Sequence, residues 1–148
     1  RLHPTPPTPP PVTADEEYPV ALTNGRHLAQ YLSRNQTKRI EAQQRLAPGP
    51  YLELHPDTAE RLGVSDDDRV VVTSRQGRST LPWVANDRLR RDTVYMPYHW
   101  RECNVLVAAD VDPDSGIPGF KYTPVSLHAA GRVDAPGAEQ DAVVEVVS

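Results

Sequence analysis

A chain of 148 residues has room for one domain with a modest core, and 38% hydrophobic against 24% charged residues places it on the polar side of ordinary globular proteins. Its formal net charge of −4 argues against a generic nucleic-acid binder, and no apolar run is long enough to cross a bilayer as a helix. The single cysteine, Cys103, excludes an internal disulfide and any cysteine-built metal or iron–sulfur centre, and it fits a reducing, cytoplasmic setting.

The opening Arg1-Leu2-His3-Pro4 has neither an initiator Met nor an apolar leader core, so the chain reads as a piece of a longer polypeptide. Pro4, Pro6, Pro7, Pro9, Pro10 and Pro11 favour an extended conformation that cannot pair in a sheet. Residues 1–17 are therefore predicted to be a linker to upstream domains, with a proline-motif ligand as the other reading. An ordered domain is predicted over residues 18–131, followed by a tail over 132–148.

The first predicted strand, Tyr18 to Thr23, runs into Asn24-Gly25, which reads as a turn in which glycine supplies positive φ cheaply. His27 to Leu32 has a mildly helical character, and the polar, basic stretch to Arg45 ends at Pro48-Gly49-Pro50. Tyr51-Leu52-Glu53-Leu54-His55 alternates as a strand. A short helix, Thr58 to Leu62, follows and stops at Gly63. Asp66-Asp67-Asp68 is a turn, Arg69 to Ser74 and Ser79 to Val84 form a hairpin about Gln76-Gly77, and Thr93 to Met96 is a strand stopped by Pro97. A long loop rich in Asp, Pro and Gly runs from Arg101 to Lys121, Pro124 to His128 is a last core strand, and Ala142 to Val147 reads as an edge strand or a fraying end. Short strands with one or two small helices point to a mainly β fold, a compact β-barrel with helical insertions.

Four stretches carry ligand-binding chemistry. Asn24-Gly25-Arg26 lets backbone N–H groups approach a ligand and adds a guanidinium suited to phosphate. Arg26, Arg34, Lys38, Arg39 and Arg45 face only Glu41, and Ser33, Asn35, Gln36 and Thr37 are interleaved as hydrogen-bonding groups, a mixture that suits a pyrophosphate or nucleotide. Tyr98-His99-Trp100, with Asn104 behind it, offers a plane and polar edges to a heterocycle such as guanine or pterin. Phe120-Lys121 ends the long loop. Each stretch also has an ordinary structural reading, as turn, solvated loop, buried ring or ordered surface loop. Catalysis has less support: the adjacent carboxylates of Asp66 to Asp68 do not converge on one bond, the five histidines lack metal-ligand spacing, and Ser79 and Ser126 sit in no nucleophile-elbow context.

In order along the chain, these pieces resemble the molybdopterin-dinucleotide-binding domain that closes the large subunit in the dimethyl sulfoxide reductase superfamily. The likeness runs from Tyr18-Pro19 and Leu22-Thr23-Asn24-Gly25-Arg26 through Gln36-Thr37-Lys38-Arg39, Tyr51-Leu52-Glu53-Leu54-His55-Pro56 and Ala59-Glu60-Arg61-Leu62-Gly63-Val64. It continues through Val70-Val71-Val72, Ser74-Arg75-Gln76-Gly77, Arg91 to Trp100 and Asn104-Val105-Leu106. It closes with Asp112-Pro113-Asp114-Ser115 and Pro118-Gly119-Phe120-Lys121. The motifs are individually weak, but the ordered set is specific. Within the superfamily the chain is most similar to bacterial assimilatory nitrate reductases, with formate dehydrogenases as the rival. Five positions depart from the pattern: Asn24 in the strand-end motif, Gln30 and Leu32 where relatives often carry His, Asp67 where the acidic turn has Gly, and Val107 where Thr follows Asn-x-Leu.

The resemblance implies a double-psi β-barrel of six strands, related to aspartate decarboxylase. It also implies molybdopterin guanine dinucleotide with molybdenum as the cofactor, the metal ligand and iron–sulfur cluster being supplied by upstream domains of the same polypeptide. Asn24, Gly25 and Arg26 would approach the pterin or its phosphates, Ser33, Asn35, Gln36 and Thr37 the dinucleotide, His99, Trp100 and Asn104 a second cofactor, and Phe120 and Lys121 would close over a pterin. No catalytic residue and no protein metal ligand is assigned to this chain, and no nucleic acid or membrane partner is expected. Two other classes remain open: a stand-alone barrel module recruiting a partner through its Pro-rich arm, and a small enzyme on the same barrel. The module implies an exposed apolar patch without an anion-binding cleft. The cofactor domain implies a polar groove shared by Arg26, Thr37, His99 and Lys121.

Overall fold

A computed structural model describes residues 4, 6, 9–107, 110–132 and 144–146. In chain order the elements are β1 (Val20–Gly25), a 3-10 turn (Thr37–Arg39), α1 (Glu41–Leu46), β2 (Leu52–Leu54), α2 (Pro56–Leu62), β3 (Asp68–Thr73), β4 (Gly77–Ala85), β5 (Thr93–Pro97), α3 (Arg101–Asn104), β6 (Thr123–Arg132) and β7 (Val144–Val146). Neighbouring strands follow the order β2-β5-β1-β6-β3-β4, and β4 pairs back onto β2, so six strands close into a barrel without a free edge. β7 lies outside that ring, antiparallel against β4. The chain is thus mainly β, with short helices between strands, as the sequence predicts.

Period-2 patterning explains the barrel. Leu52 and Leu54, Val70 and Val72, Val94 and Met96 each project alternate side chains inward, where Leu22, Leu81 and Val125 meet them, all essentially without solvent exposure. Burial of each such side chain contributes about 1.5–3 kcal/mol relative to exposure. α2 caps the core with Ala59. It starts with Pro56 in the first turn and ends at Gly63, whose φ of 67° is the left-handed conformation the sequence predicts there.

The predicted local structure needs three corrections. Asn24-Gly25 is not a hairpin turn: β1 continues through both residues, Gly25 does not have positive φ, and the chain reaches its next strand only at Leu52. Five consecutive parallel pairs, from Ala21↔Thr93 to Gly25↔Pro97, hold this stretch extended. His27 to Leu32 is a series of turns rather than a helix, and the helical residues lie further on, in the 3-10 turn and α1. The long loop opens with α3 and is pinched by a bridge between Val111 and Pro118. At the N-terminus, Asp15 pairs with Arg75 in the β3–β4 turn, Arg75 lies over the Tyr18 ring at 4.6 Å, and the Ala14 N–H donates to the Tyr122 hydroxyl at 3.0 Å. Six residues of the Pro-rich arm and most of the tail predicted over 132–148 lie outside the described residues.

Candidate functional site

Because β1 and β5 are parallel, both end on the same side of the barrel, at Gly25 and Pro97. The segments leaving them, an arch over residues 26–47 and the Tyr98-His99-Trp100 run into α3, therefore meet. The Tyr98 N–H donates to the Gly25 carbonyl at 3.1 Å, and the Tyr95 hydroxyl donates to the Arg26 carbonyl at 3.2 Å. Tyr95 also explains Gly25. A Cβ there would stand 2.9 Å from Tyr95 Cε2, so the glycine is required by a close ring rather than by a turn.

The far end of the 101–121 loop folds back onto the same place. Asn24 Nδ2 donates to the Phe120 carbonyl at 2.5 Å, and Lys121 Nζ donates to the Asn24 carbonyl at 2.7 Å. These two bonds pin the loop across the end of β1. The result is a cavity of about 410 Å³ lined by Asn24, Leu32, Ser33, Tyr98, Asn104, Phe120 and Lys121. A second cavity, of about 350 Å³, is lined by Arg26, His27, Leu28, Gln30, Tyr31, Leu32 and Tyr98, so Leu32 and Tyr98 form walls common to both. Volumes of this order suit a heterocycle and its attached groups. Amide and hydroxyl groups can read a pterin edge, Phe120 and Tyr98 offer apolar faces, and Lys121 and Arg26 place one cation in each cavity for phosphate.

The arch over these cavities is held from below. Gln30 and Thr37, both buried, form a chain: the Thr37 hydroxyl donates to Gln30 Oε1 at 2.6 Å, and Gln30 Nε2 donates to the Ala47 carbonyl at 3.1 Å. His99 is 3% exposed, with Nε2 facing the His27 N–H at 2.8 Å and Nδ1 facing the Leu32 carbonyl at 2.7 Å. Leu32 (φ 43°) and Arg34 (φ 64°) both adopt left-handed backbone, at about 1–2 kcal/mol each for non-glycine residues. Arg34 lies 4.7 Å over the Trp100 ring, its Nη2 donates to Gln44 Oε1 at 2.6 Å, and burial lowers its pKa. Among the described residues, two buried donors of this stretch, Trp100 Nε1 and Arg34 Nε, make no hydrogen bond within the protein.

Of the residues predicted for ligand binding, the structure brings Asn24, Ser33, Asn104, Phe120 and Lys121 around one cavity and sets Arg26 in the next. Gly25 lies at the strand end between them, and Asn35 and Gln36 are exposed further along the arch. Thr37, His99 and Trp100 are buried behind the cavity walls, where Thr37 and His99 spend their hydrogen bonds on the protein itself. Arg26, Thr37, His99 and Lys121 thus belong to one end of the barrel and not to opposite faces. Tyr98, read in sequence only as part of the Tyr98-His99-Trp100 run, proves to be a wall of both cavities, and Leu32, His27, Leu28, Gln30 and Tyr31 are wall residues to which the sequence assigned no ligand role. A larger cavity, about 660 Å³ beside Tyr18, Arg61 and His128, lies toward the start of β1 and takes none of the predicted residues.

Burial pushes the Cys103 thiol up to about 12, and Tyr95 is pushed up to about 12 by burial and then by Tyr51 and Glu53. Ser79 is buried and donates to the Glu102 carbonyl at 2.8 Å. Among the described residues no group of three or more His, Cys, Asp or Glu side chains is placed to hold a metal ion, and no helix is long and apolar enough to cross a membrane. A closed barrel whose loops gather amides, a hydroxyl, two cations and aromatic faces around adjoining cavities defines a ligand-binding domain.

The chain belongs to the family described as "Molydopterin dinucleotide binding domain", which matches residues 20–124. It is 32% identical over 127 residues to the assimilatory nitrate reductase catalytic subunit of Bacillus subtilis (strain 168), covering 82% of this chain and 18% of that protein. It is equally 32% identical, over 133 residues, to formate dehydrogenase H of Escherichia coli (strain K12), covering 88% of this chain and 18% of that protein. In fold it is similar to acetylene hydratase from Pelobacter acetylenicus, with a TM-score of 0.64 and 20% identity over 75% of this chain and 18% of that one. The chain therefore spans less than a fifth of the length of these relatives.

Proposed function

We propose that this chain is the C-terminal domain of a molybdenum oxidoreductase and holds molybdopterin guanine dinucleotide at the loop end of its barrel. The observation that carries this reading is the convergence of Asn24, Ser33, Asn104, Phe120 and Lys121, from four separate stretches of sequence, on one cavity of about 410 Å³. Asn24 and Lys121 are already bonded to each other's main chain or loop, so they present the cavity floor in a fixed shape. Ser33 and Asn104 supply adjustable polar contacts, and Arg26 and Lys121 supply the charge for the phosphates. Bound, the cofactor supplies the redox chemistry, while this chain orients it and tunes it through hydrogen bonds. The upstream domains of the same polypeptide would supply the metal ligand and an iron–sulfur cluster, and the whole enzyme would work in the cytoplasm.

Nitrate is the proposed substrate, on the likeness of the Gln36 to Arg39 and Asp92 to Trp100 stretches to assimilatory nitrate reductases. Equal identity to formate dehydrogenase H favours formate as the second reading. The full-length polypeptide, assayed with a viologen dye for nitrate reduction and formate oxidation, separates the two. For the binding reading itself, GDP is titrated into the 148-residue chain and followed by amide NMR. Saturable shifts at Ser33, Asn104 and Lys121 are expected. If the full-length polypeptide purifies without any pterin and also leaves these amides unshifted by millimolar GDP, the reading fails.

A further inference from the structure

We infer that His99 is a positioning residue that sets the wall between the two cavities and does not itself touch the ligand. Its two ring nitrogens face main-chain groups of opposite character. A carbonyl only accepts, so Nδ1, 2.7 Å from the Leu32 oxygen, must carry the proton. A backbone N–H only donates, so Nε2, 2.8 Å from the His27 nitrogen, must offer its lone pair. One neutral tautomer satisfies both contacts, and the imidazole is 3% exposed. It therefore ties the two ends of the turn from His27 to Leu32.

The tie matters because of what it restrains. Leu32 lines both cavities, and it sits at φ 43° with Arg34 at φ 64° close behind. Leucine and arginine rarely adopt such backbone unless surrounding contacts impose it. The bond from His99 to the Leu32 carbonyl is such a contact, and Arg34 stacked over Trp100 is the second. His99 also packs edge-on to Trp100, with ring centroids 5.8 Å apart, so both restraints share one base. Released from them, Leu32 would relax to ordinary backbone, and the partition between the Arg26 cavity and the Lys121 cavity would be lost. The consequence for ligand rests on the cofactor reading above, whereas the tie itself does not.

The test uses three variants of the full 148-residue chain. His99→Asn reaches about as far as Nδ1 and keeps a donor for Leu32. His99→Gln reaches about as far as Nε2 and keeps an acceptor for the His27 N–H. His99→Phe keeps neither. Nitrogen-15 histidine correlation spectra of the parent chain should show the Nδ1–H tautomer. Amide exchange at His27 should rise about tenfold or more in His99→Asn and His99→Phe but stay near the parent rate in His99→Gln. Amide shifts of Leu32 to Arg34 should move in His99→Gln and His99→Phe and stay close to the parent in His99→Asn. GDP affinity should fall most in His99→Phe and less in the other two. An Nε2–H tautomer in the parent chain overturns the inference, as do equal effects of all three variants while the β1 and β5 amides stay protected. If a variant unfolds, the parent tautomer still decides. If the parent does not bind GDP, the cofactor reading is what fails, and the exchange pattern still judges the tie.

Discussion

Gly25 and Cys103 show how single residues near the site are set by packing. Gly25 has ordinary backbone, so Gly25→Ala is a test of space: the new methyl would meet Tyr95 Cε2 at 2.9 Å and the Tyr95 hydroxyl at 3.0 Å. Displacing that ring strains the bond it makes to the Arg26 carbonyl, and a cost of about 1–3 kcal/mol is expected in urea unfolding. In the Tyr95→Leu background the same change should cost less, because the ring is gone, so the pair should be sub-additive. Additive effects would mean that Tyr95 is not the obstacle. Cys103 is fully buried, with a thiol raised from 9.0 to about 12 by burial. The folded chain therefore holds its proton at pH values where the unfolded chain releases it. Stability should fall as pH rises from about 9 toward 12, with Tyr95, raised from 10.0 to about 12, adding to the fall above about 10. Urea midpoints measured from pH 8 to 10.5 should decline, and Cys103→Ala should flatten the decline. An equal slope in that variant would remove Cys103 as its cause. For the same reason the native thiol should resist iodoacetamide at pH 8 and react once the chain unfolds.

The arch over residues 26–47 is the element that the sequence left least legible. Core strands announce themselves by period-2 alternation, as in Leu52-Glu53-Leu54, and α2 by Pro56 and Gly63 at its two ends. α1 gives no such sign: Glu41 to Leu46 favours helix by composition but buries no residue, so it carries no apolar period to read. Asn24-Gly25 misled in the opposite direction, because a strong local turn signal yields to pairing with a strand some seventy residues away. The site followed the same division. Asn24, Ser33, Asn104, Phe120 and Lys121 were legible as polar or aromatic residues in loops, and the structure gathers them. Thr37 and His99 looked alike in sequence, but their partners, Gln30, His27 and Leu32, become visible only in three dimensions. Thr37→Val tests the arch as an element. It keeps the shape and strands Gln30 Oε1 without its donor in a buried place, for about 1–3 kcal/mol. Amide exchange should accelerate across residues 28–46 while β3 and β4 remain protected, and GDP should bind more weakly although Thr37 lines neither cavity. Acceleration spread evenly over the barrel would show that the arch and the barrel open together.

At the scale of the whole molecule, the arch presents what the barrel conceals. Leu28, Tyr31, Leu32, Ile40 and Leu46 are all exposed on it, and Val111, Ile117 and Phe120 are exposed on the loop that closes the larger of the two arch-side cavities. Large apolar side chains gathered on the loops around a binding site mark a contact surface rather than a finished exterior. A stand-alone module would be expected to have such a patch but no anion-binding cleft, whereas here Leu28, Tyr31 and Leu32 line a cavity with Arg26, and Leu32 and Phe120 line one with Lys121. Under the proposed function, the cover for this face would be upstream domains of a longer polypeptide, because the chain spans less than a fifth of its relatives' length. Leu28 is fully exposed and Leu46 is 71% exposed, so replacing both with Glu should leave the urea midpoint of the 148-residue chain within about 0.5 kcal/mol of the parent and reduce its binding of a hydrophobic dye. If upstream domains cover this face as proposed, the same pair in the full-length polypeptide would place two carboxylates in that interface. Pterin retained through purification should then drop several-fold, and amide exchange across the arch should rise to the rate seen in the isolated chain. Unchanged pterin content and unchanged arch protection would show that the upstream domains approach from elsewhere, and the exposed face would then require a different partner.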